Sequence, residues 1–297
     1  MSGSELNLVS SATDVRPLTA HEFEQFRKLA YEKVGIDLRS GKEQLVSARL
    51  GKKMRELRIC SYKEYYQHVQ EDKTGEALVA MIDALTTNHT SFFREIAHFE
   101  FLRKNILPDI RNRNQIAIWC AASSTGEEPY SIAFSILDEL GMQALPKLQI
   151  TATDISTRVL DIAKRGAYAA ERFRDFPPQQ LRNYLLRGEQ KWSNWYLVRK
   201  EIRAAVTFSR LNLMDDFTHA GSFPVIFCRN VMIYFDRPTQ EALVKRMSHY
   251  LEPGGYLLIG HAESLNGVNH SLQYVRPAVY RKPESGGSIL NRGQGKK

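Results

Sequence analysis

Apolar residues along this chain keep one period up to about residue 85 and another beyond residue 116. In the first part they recur every three or four positions. Phe23, Phe26 and Leu29 form one stripe, and Val46, Leu50, Met54 and Leu57 a second. Tyr62, Tyr65, Tyr66 and Val69 make a third, and Leu78, Met81, Ile82 and Leu85 a fourth. That spacing places one apolar face on each of a succession of helices and predicts a small helical bundle. Thr19 with Glu22 three residues on has capping-box spacing and marks the start of the first helix.

From residue 116 the chain alternates short apolar runs with helical segments. Residues 116–120, 148–153, 206–209, 225–228 and 256–260 read as strands, and 127–140, 158–164 and 239–251 as helices. Such alternation predicts a mostly parallel sheet with helices on both faces. WSNWYLVRKEIR (192–203) breaks the rhythm. It is β-prone, holds a turn, and runs into the strand at 206 without room for a crossover helix, so it predicts a small antiparallel insert. The expected organisation is a tail (1–16), a helical domain (17–86), a linker (87–100), an α/β domain (101–283, insert about 189–204) and a second tail (284–297). Both tails are polar and aperiodic, the signature of flexible chain.

Composition alters this picture little. The 297 residues are 43% hydrophobic and 25% charged, as in ordinary soluble domains. No apolar run approaches the roughly 18 residues that cross a bilayer. A net charge of +8 points to an acidic partner without naming it. Cys60, Cys120 and Cys228 are too scattered for a zinc or disulfide framework, and the latter two read as buried thiols of a reducing cytoplasm.

In open parallel sheets ligands bind beyond the carboxyl ends of the strands. After the first strand comes AASSTGEE (121–128), a small-residue turn with one glycine, Gly126, rather than the three of a dinucleotide loop. Glu127 and Glu128 would repel a phosphate there; either also serves the helix dipole. Asp154, after the second strand, suits the paired hydroxyls of a ribose, or equally a helix N-cap. A ribose-suited acid beside a phosphate-averse turn points to S-adenosylmethionine, which has a ribose, an adenine and an amino acid tail but no phosphate. LEPGGYLLIG (251–260) adds a proline–glycine–glycine turn common in methyltransferases of this architecture.

TTNHTSFFRE (86–95), STGEEPYS (124–131) and FCRNVMIYFD (227–236) together resemble the CheR family of chemotaxis receptor glutamate methyltransferases. The resemblance spans residues 18–283 in the family's order. It implies a Rossmann-like methyltransferase domain with a small antiparallel insert behind an all-α N-terminal domain. It implies S-adenosylmethionine as cofactor and S-adenosylhomocysteine as product. Asn88, Thr90 and Arg94 would line the cofactor site from the linker. Glu128 would meet the amino acid tail, Asp154 the ribose, and Asn212 with Leu213 the adenine. Arg229 and Asn230 would complete the pocket, and Arg94 and Tyr234 would lie nearest the transferred methyl. The implied enzyme is a cytoplasmic monomer. It binds glutamate-bearing receptor helices, and through its insert a receptor C-terminal peptide, but neither nucleic acid nor the membrane interior. The chain departs from the pattern at CAASS (120–124), at Ala262 in GHAES (260–264) where serine is usual, and in the glycine-free EQKWSNW (189–195).

The residues accord with that chemistry. A glutamate carboxylate is already ionised at neutral pH, with a reference pKa of about 4.3. No general base is required, and no His–Asp relay or metal cluster is evident in the sequence. Arg49, Lys52, Arg55 and Arg58 recur every third residue and are candidates to dock an acidic substrate helix, although a solvated face has the same pattern. Missing glycines disfavour a nicotinamide dehydrogenase. RNVMIYF (229–235) lacks the two prolines that amino-methylating DNA enzymes carry after the fourth strand. A small-molecule methyltransferase and a cofactor-binding regulator remain open.

Overall fold

The computed structural model describes residues 16–87, 89–218 and 221–284. Apart from Arg16 and Glu284, both expected tails lie outside these residues. The chain forms two compact units, Met1–Asn88 and His89–Lys297.

The first unit contains α1 (Ala20–Val34), α2 (Glu43–Leu57), α3 (Tyr62–Glu71) and α4 (Glu76–Leu85). The capping box forms at α1: Glu22 N–H donates to Thr19 Oγ1, and Thr19 N–H donates to the Glu22 carboxylate. Phe26, Leu50, Met54, Tyr65 and Met81, drawn from all four predicted stripes, are completely buried. Leu57 departs from expectation and is 41% exposed. It ends α2 just before Arg58, which takes a left-handed φ of 58° and turns the chain away.

The second unit begins with the helical run α5 (Ala97–Phe101), a π-helical turn at Leu102–Ile106, and α6 (Leu107–Ile110). Strand β1 (Ile116–Ala121) leads to α7 (Glu127–Leu140), and β2 (Leu148–Asp154) to α8 (Thr157–Arg165). Next come β3 (Ala167–Ala169), α9 (Pro178–Tyr184), β4 (Leu185–Arg187), β5 (Trp195–Val198) and α10 (Lys200–Ala204). Strands β6 (Val206–Arg210) and β7 (Phe223–Cys228) precede α11 (Arg237–Tyr250), and β8 (Leu251–Leu258), β9 (Gln273–Arg276) and β10 (Val279–Arg281) close the chain.

The main sheet has seven strands in the order β6-β2-β1-β7-β8-β10-β9. From β6 to β8 neighbours are parallel, while β10 is antiparallel to both β8 and β9. Strand β7 is buried at every position, as befits a central parallel strand covered on both faces. The strand order reverses between β1 and β7, the place where open α/β sheets bind ligands beyond the carboxyl ends of their strands.

The sequence reading needs three corrections here. The antiparallel insert is a separate sheet, β3-β5-β4, that begins at Ala167 rather than at 189, and its last expected residues form α10 instead. LEPGG is not a turn before the last parallel strand. It lies within β8, where the register against β7 shifts and Gly254 takes a φ of 75°. The β9–β10 hairpin was not anticipated, because β9 is exposed throughout and has no apolar run.

One aromatic cluster ties the insert to the linker and α7. Phe92, from the linker, packs on Phe173 with centroids 4.6 Å apart and edge-on to Tyr168 at 5.1 Å. Phe134 of α7 stacks on Tyr184 at 4.9 Å. Burial of these rings anchors the segment that carries Thr90 and Arg94, each large aromatic contributing about 1.5–3 kcal/mol by transfer from water.

Candidate active site

The turn after β1 owes its shape to backbone conformation rather than to glycine. Ala122 and Ser124 have positive φ, 61° and 48°. Such strain is tolerated where neighbours over-determine it. Ser123 N–H donates to Thr153 O at 2.8 Å, and Ser124 N–H donates to Asp154 Oδ2 at 2.8 Å. Gly126, at φ 98°, is the one position where a side chain does not fit: a Cβ would lie 2.7 Å from Tyr168 Oη and 2.8 Å from Ala163 Cβ. That glycine serves close packing against the insert segment, not the approach of a phosphate.

The two acids that open α7 diverge. Glu127 is more than a dipole complement. It is 1% exposed and accepts from Thr125 Oγ1 at 2.6 Å and Arg172 Nη1 at 3.2 Å. Arg172 Nη1 also donates to Thr90 O at 3.0 Å, which straps the linker to the start of α7. Glu128 turns the other way, toward Arg229 Nη1 at 2.5 Å, and accepts from the Cys120 thiol at 3.2 Å. Burial pushes that thiol well above its ordinary value, so it is an inert neighbour.

Arg229 is the centre of an ion network just past β7. It is 4% exposed, and a cation so buried needs anionic partners. It has two: besides Glu128, Glu95 Oε2 accepts from Nη2 at 2.9 Å, and Arg94 O accepts from the same nitrogen at 2.6 Å. Burial would raise the Glu95 pKa, but the hydrogen bond and charge of Arg229 outweigh it and hold the carboxyl at about 2. Asn230, at φ 58°, donates from Nδ2 to Glu95 Oε1 at 3.2 Å and from its backbone N–H to Glu263 Oε2 at 2.9 Å. Glu263 also accepts from Gly260 N–H at 2.6 Å and Ile233 N–H at 3.1 Å. A side chain at Gly260 would run into the Asn230 amide.

His98 is 1% exposed beside this network, its ring 4.6 Å from that of His261. Burial first, then the positive field of Arg229, lower its pKa to about 3, so it is neutral at physiological pH. Glu95, His98 and His261 bring ligand atoms within 4.8 Å of one another. The Glu95 oxygens, however, are already engaged by Arg229, Asn230 and the His261 N–H, the last at 3.0 Å.

The structure brings most of the sequence-predicted residues to this end of the sheet. Arg94 follows Phe93, whose φ is 52° and whose N–H donates to Ser131 Oγ at 2.9 Å. Its own side chain is 36% exposed, with Nη1 donating to His89 O at 2.8 Å. Asp154 accepts from Ser124 N–H and, at 3.0 Å, from Ser156 N–H; it precedes the N-cap of α8, which is Ser156. Asn212 folds its loop by accepting from Met214 N–H at 3.1 Å. The Leu213, Met214 and Asp215 carbonyls all accept from Arg246 of α11. Tyr234 is half-buried in a 3₁₀ turn, Met232–Tyr234, just past Asn230. Asn88 lies outside the described residues. Lys52 and Arg55 of α2 and Arg58 just past its end are exposed, while Arg49 is half-buried. It donates to Leu85 O and, at 3.0 Å, to Thr87 Oγ1.

Sequence reasoning passed over Glu95, His98, Arg172 and Glu263. Glu95 closes the TTNHTSFFRE motif and Glu263 sits within GHAES, so both were signalled by position. Arg172 lies in a stretch with no motif.

A phosphate-averse turn at the sheet's reversal point, two acids around a buried arginine and a carboxylate at the end of β2 together suit S-adenosylmethionine. The protein is an S-adenosylmethionine-dependent methyltransferase. It belongs to the CheR family. Residues 21–86 match the CheR methyltransferase all-alpha domain, and 88–280 the CheR methyltransferase SAM binding domain. It is 40% identical to "Chemotaxis protein methyltransferase 2" of Pseudomonas aeruginosa over 88% of this chain and 93% of that protein. It is 40% identical to a chemotaxis protein methyltransferase of Klebsiella aerogenes over 89% and 90% of the two chains. Against the one from Escherichia coli the figures are 36%, 93% and 96%. Among the described residues no helix is long and apolar enough to cross a membrane.

Proposed function

We propose that this enzyme methylates glutamate side-chain carboxylates of chemotaxis receptors in the cytoplasm, giving glutamate methyl esters. The observation that carries the reading is Arg94, a part-exposed cation anchored beside the buried Glu95–Arg229–Glu128 network. The names of the relatives supply the sensory context.

S-adenosylmethionine supplies, when bound, an electrophilic methyl group on a sulfonium. Thr90 would border it from the linker, Asp154 would accept from the ribose hydroxyls, and Asn212 with Leu213 would flank the adenine. Glu128 would hold the amino group of the tail, and Arg229 and Asn230 would complete the pocket. The acceptor carboxylate has no proton to lose at neutral pH, so the residues position and desolvate it rather than activate it. Opposite charges disappear as the ester forms, which a dry site favours. Arg94 orients the carboxylate by charge-assisted hydrogen bonds, and Tyr234 donates one more.

Lys52, Arg55 and Arg58 make no ion pair among the described residues, which leaves an exposed cationic face to attract glutamate-rich receptor helices. In the insert, β3 and β4 are both edge strands, with Leu186, Trp192 and Trp195 exposed nearby. An extended receptor C-terminal peptide would add to such an edge.

The test is incubation with radiolabelled S-adenosylmethionine and either receptor cytoplasmic fragments or nucleic acid. Base-labile label on the receptor is expected. Label confined to nucleic acid overturns the reading.

A further inference from the structure

We propose that Glu95 is a positioning residue that assembles the cofactor pocket by acting through Arg229 and Asn230, without itself touching cofactor or acceptor. This rests on the reading above that Arg229 and Asn230 line that pocket.

Three segments distant in sequence meet on this one carboxylate. Oε2 accepts from Arg229 Nη2 at 2.9 Å and from His261 N–H at 3.0 Å, and Oε1 accepts from Asn230 Nδ2 at 3.2 Å. The linker, the end of β7 and the chain just past β8 are thereby fixed to each other. Glu95 is 15% exposed, and with these donors around it little capacity remains for a ligand. It reaches this place at a φ of 57°, in the left-handed region that costs a non-glycine residue about 1–3 kcal/mol. Strain of that kind persists only where the surroundings compensate, and the three hydrogen bonds are the compensation.

The effect on Arg229 follows from charge. Its two terminal nitrogens are split between Glu128 on one side and Glu95 on the other, so neither carboxylate captures the whole guanidinium. Without Glu95 the cation has one anionic partner. It collapses onto Glu128 and withdraws that carboxylate from the amino acid tail of the cofactor. Asn230 loses the acceptor that orients its amide at the same time. Glu95→Gln sharpens this: the variant keeps the size but turns an NH2 toward either Arg229 or Asn230, donor against donor.

The experiment is a double-mutant cycle on the full chain, Glu95→Gln with Arg229→Lys, reading S-adenosylmethionine affinity by calorimetric titration. Glu95→Gln alone is expected to weaken binding about 10- to 100-fold, the range for one lost charge-assisted hydrogen bond. In the Arg229→Lys background the same change is expected to have less than about one third of that effect in free energy, because the residue it acts through is already altered. Equal factors in both backgrounds, or unchanged affinity in the single variant, overturn the proposal. Tryptophan fluorescence verifies folding, and Glu95→Asp replaces Glu95→Gln in the cycle if the latter unfolds. Failure of the wild-type chain to bind S-adenosylmethionine would overturn the functional reading and this inference with it. Wild-type binding with an unaffected Glu95→Gln overturns the inference alone.

Discussion

Replacing His98 by phenylalanine should remove a defined part of the acid sensitivity of the catalytic unit. His98 is neutral in the fold because burial holds its pKa near 3, with Arg229, His261 and Arg276 opposing protonation and Glu95 favouring it. In the unfolded chain the pKa returns to about 6.5. Between these values the unfolded state binds the extra proton, so stability falls as pH drops below 6.5 and goes on falling until about pH 3. At pH 5 the unfolded side chain is protonated about 30 to 1 while the folded one stays neutral, a difference worth about 2 kcal/mol. The substituted phenylalanine would keep a ring against His261 but cannot titrate. Trp119, Trp192 and Trp195 all lie in the His89–Lys297 unit, so intrinsic fluorescence follows its unfolding separately from the helical unit. Denaturant titrations at pH 7.5 and pH 5.0 should show wild type losing about 2 kcal/mol more than His98→Phe between the two. Carboxylates contribute equally to both proteins and cancel. The same loss in both would refute a buried neutral His98.

Arg94→Ala should lower the methylation rate by roughly two to three orders of magnitude while S-adenosylmethionine affinity changes far less, as expected for a group that acts on the acceptor. Wild-type turnover in that variant would remove Arg94 from the mechanism. Asp154→Ala should show the reverse, with binding weakened about 10-fold or more in calorimetric titration, since the Ser124 and Ser156 N–H groups also lose their acceptor. Gly126→Ala should destabilise the catalytic unit by about 1–3 kcal/mol in the same fluorescence assay, because of its φ of 98° and the clash with Tyr168 and Ala163. Reversing the charges at Arg55 and Arg58 should slow receptor methylation with little effect on cofactor affinity, and the deficit should shrink as salt rises. Intact receptor methylation at physiological salt would count against a docking role for α2.

Local pattern carried a good deal of this protein. The apolar stripes of α1 to α4, the Thr19–Glu22 cap and the five parallel strands all follow from side-chain periodicity and capping chemistry within a few residues. The motif residues were legible too, because Glu128, Asp154, Arg229 and Asn230 each end a strand, follow one or begin the helix after it. What could not be read this way depends on distant partners. Arg49 is spent on the end of α4, 36 residues away, and Glu127 on Arg172, 45 residues away. The insert begins at Ala167 because β3 pairs with β5, and β9 is a strand because β10 covers one of its edges, not because of its own composition. The same holds for the ion network, where Glu95 joins residues 134 to 166 positions distant. Periodicity registers which face of a segment is buried, and so it foretold the elements. A buried ion network requires its members' backbones to converge at ångström distances, and that convergence exists only once the sheet has set its strand order.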